Sequence, residues 1–473
     1  MPPYWRRPRR APSGLRLLAS AALIVLFLWA TLPYDNALRS SARFNTHRLI
    51  TLLRGPLRNE RWLYEPAPFP LDWSCDVAII LKTGYGTHER ALAWIEALPS
   101  GITPENVVIV ADFDAQLATR TGSRSGLKVH NVIQRVVDEG AMVCGGARCP
   151  RADKYLNLKA AVSAGEDELA RSYSSSFGWE LDAIKFLPGL ELAYRAMPNS
   201  KWFILVDDDT YLIYPSLNSI LGHFDPSVPH YLGNAVGDYR QRFAHGGSSI
   251  ALSRATMQAL FAAANHRAVS KARQASLTET WGDRLLAGAL LRLGVPVDED
   301  ASRFFNGEQP WASRLRPDRL CAPVATFHHL STAGEMAGVG RVFRDTAEPV
   351  LWVDLWDMFS GGDRLRGDRA AYTDRPSASL SSSAGRDDEV VPGRPGWDHV
   401  GPLDEHTGTS TRVQDALGCS RLCSSATECL AWTWDERLGL CHTSPWVTVG
   451  REAVGLRSGF NVDRFEGLAG ECR

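Results

Sequence analysis

The chain emerges from five apolar residues, Trp202 to Val206, into three consecutive carboxylates, Asp207, Asp208 and Asp209, followed by Thr210 and Tyr211. Two carboxylates about 5 Å apart repel by roughly 3 kcal/mol at an effective dielectric of 20, and a cation turns that cost into a binding site. Hard oxygen ligands at a rigid strand end suit Mg²⁺ or Mn²⁺, with water and diphosphate oxygens completing the coordination. Taken alone, the triplet also reads as a solvated strand-to-loop turn whose carboxylates cap backbone N–H groups. A phosphatase D-x-D-x-[TV] pattern fails because Tyr211 holds its last position. An EF-hand loop fails for lack of its Gly and its twelfth-position Glu.

Such a site needs a sheet to carry it. Asp76 to Leu81, Val107 to Ala111 and Trp202 to Val206 are short apolar runs suited to buried strands. His88 to Leu98 is helix-like, as is a stretch near 180 to 197 that Pro188 should kink. Alternating strands and helices predict an α/β sheet. Ligands of open α/β sheets gather at the carboxyl ends of strands, so Lys82, Asp112 and the acids after Val206 should share one edge. The helical spacing of Trp281, Leu285, Leu286, Ala289, Leu290 and Leu293 puts Asp283 in a first turn, where Thr280 to Asp283 also reads as a capping box.

Five blocks then recur in an order similar to that of Golgi glycosyltransferases of family 31, the Fringe and core β1,3-galactosyltransferase group. They are ILKTGYGTHER from Ile80, GWELDAIKFLPGLELAY from Gly178, WFILVDDDTYLIYP from Trp202, AHGGSSIALSR from Ala244 and TFHHLS from Thr326. The resemblance covers roughly residues 75 to 345 and lies in the ensemble. It implies a GT-A, Rossmann-like nucleotide-sugar-binding catalytic domain over 73–360, a UDP-sugar donor, and Mn²⁺ or Mg²⁺. It makes Asp207, Asp208 and Asp209 the D-x-D motif, with Asp209 the direct metal ligand and Asp207 nearer the ribose or sugar. His328 matches the distal metal ligand, and an imidazole favours Mn²⁺ over Mg²⁺; His329 would support it from behind.

By the same resemblance Lys82 and Thr83 reach the nucleotide, Asp112 accepts from the uracil or ribose, and Lys185 takes the D-x-x-K position after Asp182. Gly246 and Gly247 would let backbone approach the donor sugar. Asp283 would be the general base, with Glu279 in reserve; where the family carries an acidic pair, Gly282 and Arg284 flank a single Asp here. Each residue also has a plain structural reading: a surface or helix lysine, a buried His pair, a Gly-Gly turn, a helix cap.

The rest of the chain sets the context. Its 473 residues allow two or three domains. With 52 basic against 53 acidic residues and a net charge of −1, nothing supports a grip on nucleic acid. Charged residues at 22% and hydrophobic ones at 44% exclude a disordered, collagenous or multi-spanning chain. Five arginines within residues 1–16 precede a charge-free stretch, 17–34, that would form a helix of about 27 Å. This predicts a cytosolic tail, a signal-anchor and a lumenal remainder, a cleaved signal peptide being the competing reading. No N-x-[ST] acceptor occurs. Residues 35–72, with Pro66, Pro68 and Pro70, read as a stem, and 361–395 as a flexible linker.

Beyond the linker, 396–473 is cysteine-rich. Cys419 and Cys423 share a helix face, and Cys429 and Cys441 follow. The spacings lack C-x₂-C pairs, which disfavours zinc. The segment resembles a PAN or apple module, a protein- or carbohydrate-binding unit, and that resemblance implies Cys419–Cys441 and Cys423–Cys429 disulfides. Cys144 and Cys149 should bridge locally, Cys75 could pair with Cys321, and Cys472 is left for an intermolecular bond. The reading as a whole is a single-pass type II Golgi membrane enzyme, inverting, with a glycan or glycoprotein acceptor. The alternative is a non-catalytic binding protein on a decayed transferase scaffold.

Overall fold

The computed structural model describes residues 31–55, 60–99, 104–118, 127–140, 148–344, 346–360 and 392–472, with a few single residues such as Cys144 between them. Almost all of the expected tail and signal-anchor, and the expected linker up to residue 391, lie outside the described residues. Among the described residues no helix is long and apolar enough to cross a membrane.

A seven-stranded sheet forms the frame. In spatial order its strands are Ala115–Leu117, Leu127–Asn131, Val107–Ala111, Val77–Lys82, Trp202–Asp207, Ile250–Ser253 and Tyr231–Gly233. Four of them, from Leu127–Asn131 through Trp202–Asp207, run parallel, and Ile250–Ser253 joins antiparallel. Val77–Lys82 is buried along its whole length, which is why its sequence is a continuous apolar run and not an alternating one. In register, Lys82 lies opposite Val110 on one side and Asp207 on the other. The predicted shared edge is therefore real: Lys82, Asp112 and Asp207 end neighbouring strands.

The helix Asp167–Ala196 covers one face of this sheet. It comes closest at Gly189, where a Cβ would sit 3.2 Å from a Val110 methyl and 3.3 Å from Ile80 Cγ2. The helix is longer than predicted and is not interrupted at Pro188. Ile184, Leu187, Leu190 and Ala193 are all buried and tie it down on both sides of the proline.

A two-stranded pair brings the distant blocks together. Tyr211–Leu212 and Thr326–Phe327 pair antiparallel, with Phe327 opposite Tyr211. This places the histidines after Phe327 beside the carboxylates before Tyr211, and the Leu330 N–H donates to the Asp209 carbonyl at 3.0 Å.

The stem segment is structured where it is described. A helix spans Ala37–Arg54, and Glu60, buried, pairs with Arg303 at 2.9 Å. The C-terminal unit is a five-stranded antiparallel sheet in the order Arg394–Asp398, Arg451–Phe460, Ala431–Asp435, Leu440–Ser444, Gly408–Thr411. The helix Ala416–Ser425 is stapled to it by Cys419–Cys441, and Cys423–Cys429 closes the following turn. Cys144–Cys149 also forms.

Two expectations about cysteines are corrected. Cys321 pairs with Cys472, not Cys75, so Cys472 is not available for an intermolecular bond, and Cys75 is free and exposed. The reason is packing: the helix Val462–Gly470 buries Phe465 against Trp356, with ring centroids 5.9 Å apart, and so delivers Cys472 to Cys321. An isolated bridge between Leu315 and Val447 reinforces the contact. The C-terminal unit thus shares a continuous apolar core with the sheet domain.

Candidate active site

The carboxyl ends of the parallel strands open into a cleft of about 800 Å³. Lys82, Thr83, Lys185, Asp207, Asp208, Asp209, Gly246, Gly247, Asp283 and His328 all line it. Asp112 does not: it is buried below the floor, accepting from the Tyr85 N–H at 2.9 Å and lying 3.4 Å from Lys185 Nζ.

The three aspartates do different things. Asp207 Oδ1 lies 2.6 Å from Lys82 Nζ, and the same ammonium donates to Asp182 Oδ2 at 2.5 Å over the face of Phe186. Burial and the neighbouring carboxylates of Asp182 and Asp209 raise the Asp207 pKa despite Lys82. Asp208 turns the other way and accepts from Thr83 Oγ1 at 2.6 Å, and burial pushes it up to about 6. Asp209 points at His328, with 3.3 Å between Oδ1 and Nε2. Burial acts to raise Asp209, but its contacts with His328 and Arg90 outweigh that and hold its pKa low. Burial likewise opposes protonation of His328, and Asp209 overrides it and raises the His328 pKa.

Lys82 is 2% exposed and its ammonium is shared by Asp182 and Asp207, so it neutralises the strand ends while still lining the cleft. Lys185 donates to the Thr83 carbonyl at 2.6 Å and fixes the loop that carries Thr83. Arg90, which the sequence reading passed over at the end of its first block, lies 3.7 Å from Asp208 and 3.5 Å from Asp209. Five carboxylates, Asp112, Asp182, Asp207, Asp208 and Asp209, therefore face three cationic side chains, Lys82, Lys185 and Arg90. Carboxylates thus outnumber the cations set against them, the balance in which a cation is bound favourably.

The donor set fits such an ion. Asp209, His328 and His329 each offer one ligand atom, all within 4.8 Å of one another. His329, expected only as support, joins the group, and its backbone takes the left-handed conformation, φ 63°. Strain of that kind persists where surrounding structure imposes it and concentrates at functional sites. Asp207, expected as a ligand, stands outside the group on Lys82.

Gly246 and Gly247 line the cleft, and the protein's own packing already requires both to be glycine. A Cβ at Gly247 would overlap the His328 imidazole, and one at Gly246 would lie 2.8 Å from Phe186 Cζ. The Gly247 carbonyl also accepts from Thr210 Oγ1 at 2.7 Å. We expect Gly247→Ala to displace His328, lowering stability by about 1–3 kcal/mol and weakening divalent-ion affinity by about tenfold or more. Paired denaturation and metal-titration curves check both; an unchanged metal affinity would show that His328 need not stay in place.

Asp283 is the remaining group. It sits in the first turn of the helix Gly282–Arg292, as predicted, but the capping box does not form: Trp281, not Thr280, is the N-cap, with no side-chain bond. Instead Asp283 Oδ2 reaches across to the Gly246 N–H at 2.9 Å, while Oδ1 accepts from the Arg284 N–H at 2.7 Å. Burial raises its pKa against those two bonds. Glu279, the reserve, is tied to Arg284 at 2.8 Å and does not line the cleft.

An α/β sheet with carboxylates at its parallel strand ends, opposed by an imidazole and a separate buried acid, has the architecture of a GT-A domain. Residues 187–357, a stretch of 171 residues, match the family described as Fringe-like, which suggests a glycosyltransferase. The match contains Asp207 to Asp209, Gly246, Gly247, Asp283 and His328, and begins after Lys82, Asp112 and Lys185. Domains of this class use a nucleotide-sugar donor and generally a divalent metal.

Proposed function

We propose that the protein is a single-pass type II Golgi membrane enzyme that transfers a hexose or N-acetylhexosamine from a UDP-sugar to a glycan or glycoprotein hydroxyl, with inversion. A β1,3 linkage follows from the family resemblance. The observation that carries the reading is the approach of Asp209 Oδ1 to His328 Nε2, 3.3 Å apart in the cleft that Asp283 also lines. Asp209, His328 and His329 would hold Mn²⁺, whose chemistry when bound is to neutralise the charge of a departing diphosphate. Arg90, beside Asp208 and Asp209, is placed to meet the same phosphates. Asp283 takes the acceptor hydroxyl's proton as that oxygen bonds to the anomeric carbon and the bond to UDP breaks. The lumenal, anchored placement rests on the arginine cluster and the charge-free stretch 17–34. The stapled C-terminal sheet supports a PAN/apple-like unit that binds protein or carbohydrate.

The test is UDP release by the purified lumenal protein from a panel of UDP-sugars, with and without Mn²⁺. Release that needs Mn²⁺ supports the reading, and silence across the panel under both conditions sinks it. Asp283→Asn should lower kcat by about a hundredfold. Only the ionised carboxylate can take a proton, so activity falls as pH drops through the Asp283 pKa. Burial raises that pKa and shifts the acid limb of the profile toward neutrality; the Asn variant should lack that limb. Retention of configuration in the product would refute the single displacement.

One observation favours the second reading, a binding protein on a decayed scaffold: both Asp283 oxygens already accept from backbone N–H groups. Each carboxylate oxygen keeps a further lone pair, so the bonds orient the base without exhausting it.

A further inference from the structure

Two large indoles stand in the open at the mouth of the cleft. Trp179, on the helix Asp167–Ala196, is 64% exposed, and Trp281, the N-cap two residues before Asp283, is 45% exposed. Both line the cleft. Their ring centroids are 6.2 Å apart and their planes meet at 83°, so they form a right-angled wall. Trp281 is backed by Phe243, with centroids 6.3 Å apart, whereas the outer surfaces of both indoles face solvent. Neither indole N–H has a hydrogen-bond partner among the described residues. Apolar surface of this size beside a polar cleft marks a place where a ligand sits.

The surroundings narrow the ligand. An aliphatic anchor would seek a pocket closed on all sides, and this wall is open. A bare phosphate or nucleotide would seek cations, and those lining the cleft, Lys82, Lys185, Arg90 and Arg171, are each already paired with carboxylates or a carbonyl. A saccharide ring presents one face of C–H groups and a rim of hydroxyls. The rim has partners nearby in the cleft: the Ser174 and Ser175 hydroxyls and that of Thr280, next to Trp281 in the chain.

We propose that Trp179 and Trp281 form the acceptor subsite and hold the apolar face of a saccharide ring next to Asp283. The enzyme then extends an existing sugar and does not start a chain on a bare Ser or Thr side chain. The inference rests on the transferase reading for its catalytic meaning, but the binding surface can be tested without it.

The experiment uses the full lumenal chain on an array of glycans and unglycosylated Ser/Thr peptides, read both as direct binding and as transfer from UDP-sugars. The wild type should bind and modify glycans and not the peptides. Trp179→Ala and Trp281→Ala should weaken glycan binding and raise acceptor KM by about tenfold. The donor KM should shift less, and Trp281→Phe should restore much of the loss. Melting curves identify any variant that fails to fold, and Trp179→Ala, on a different element from Asp283, remains informative if Trp281→Ala does not fold. Transfer to bare peptides, or folded variants with unchanged acceptor KM and glycan binding, would overturn the subsite and leave the transferase standing. Tryptophan-dependent glycan binding without UDP release would count against the transferase and leave the subsite standing.

Discussion

Asp209→Ala should lower kcat/KM for UDP-sugar turnover by about a thousandfold at saturating Mn²⁺, because metal stabilisation of a leaving diphosphate contributes several kcal/mol. Its effect on folding should be small by comparison. Among the described residues the Asp209 side chain makes no hydrogen bond that holds the sheet together; its carboxylate meets His328 at 3.3 Å and Arg90 at 3.5 Å. Its structural contribution is the main-chain carbonyl that receives Leu330, and alanine keeps that. The variant therefore separates a metal ligand from a packing residue. Calorimetric titration with Mn²⁺ supplies the second readout, and Asp209→Ala should lose most of its heat. Asp208→Asn is the comparison. Asp208 faces Thr83 and Arg90, outside the Asp209, His328 and His329 group, so its Mn²⁺ affinity should change by less than about tenfold. If Asp209→Ala binds Mn²⁺ and turns over within tenfold of wild type, the ion is held elsewhere.

What the sequence made legible follows from range. The strands Val77–Lys82, Val107–Ala111 and Trp202–Asp207 were readable within a residue because each is buried along most of its length and therefore apolar without interruption. The edge strands Ala115–Leu117 and Tyr231–Gly233 were not, being three residues each, too short for any period to show. At the site, the residue types could be read but their partners could not. Lys82 and Asp207 are cross-strand neighbours only once the parallel register is known, and that register adds a neutralising ion pair to a residue that lines the cleft. Arg90 carried no signal beyond its place in a block, since an arginine on a helix is ordinarily solvated. Asp283 looked like half of a capping box because local spacing permits one; the competing bond, to Gly246, comes from another part of the chain. His329 enters the metal group through a left-handed backbone, which a histidine's sequence does not announce. Resemblance carried the candidate ligands; geometry separated those that face one another from those that face lysines.

The disulfide that sequence reasoning missed should dominate stability. Cys321 and Cys472 close a loop with a sequence separation of 151. In the chain-entropy account that constraint stabilises the folded state by about 5 kcal/mol, more than either short staple of the C-terminal unit can supply. The double variant Cys321→Ser/Cys472→Ser is the appropriate probe, because a single replacement would leave a thiol able to pair with the free, exposed Cys75. Its melting temperature should fall by about 10 °C. The unfolding should also split into two transitions. Among the contacts that remain between the units after the bridge is cut are those of Trp356 with His399, Phe460 and Phe465, the Leu315–Val447 bridge, the Arg314–Asp404 ion pair and the shared apolar core. Those contacts can order the C-terminal sheet, and the expected split means that without the covalent link they no longer make it melt with the seven-stranded one. The cleft should be insensitive at 25 °C, because neither cysteine lines it. Differential scanning calorimetry decides the matter: one transition within 2 °C of wild type would mean that the shared apolar core, and not the covalent bridge, couples the two units.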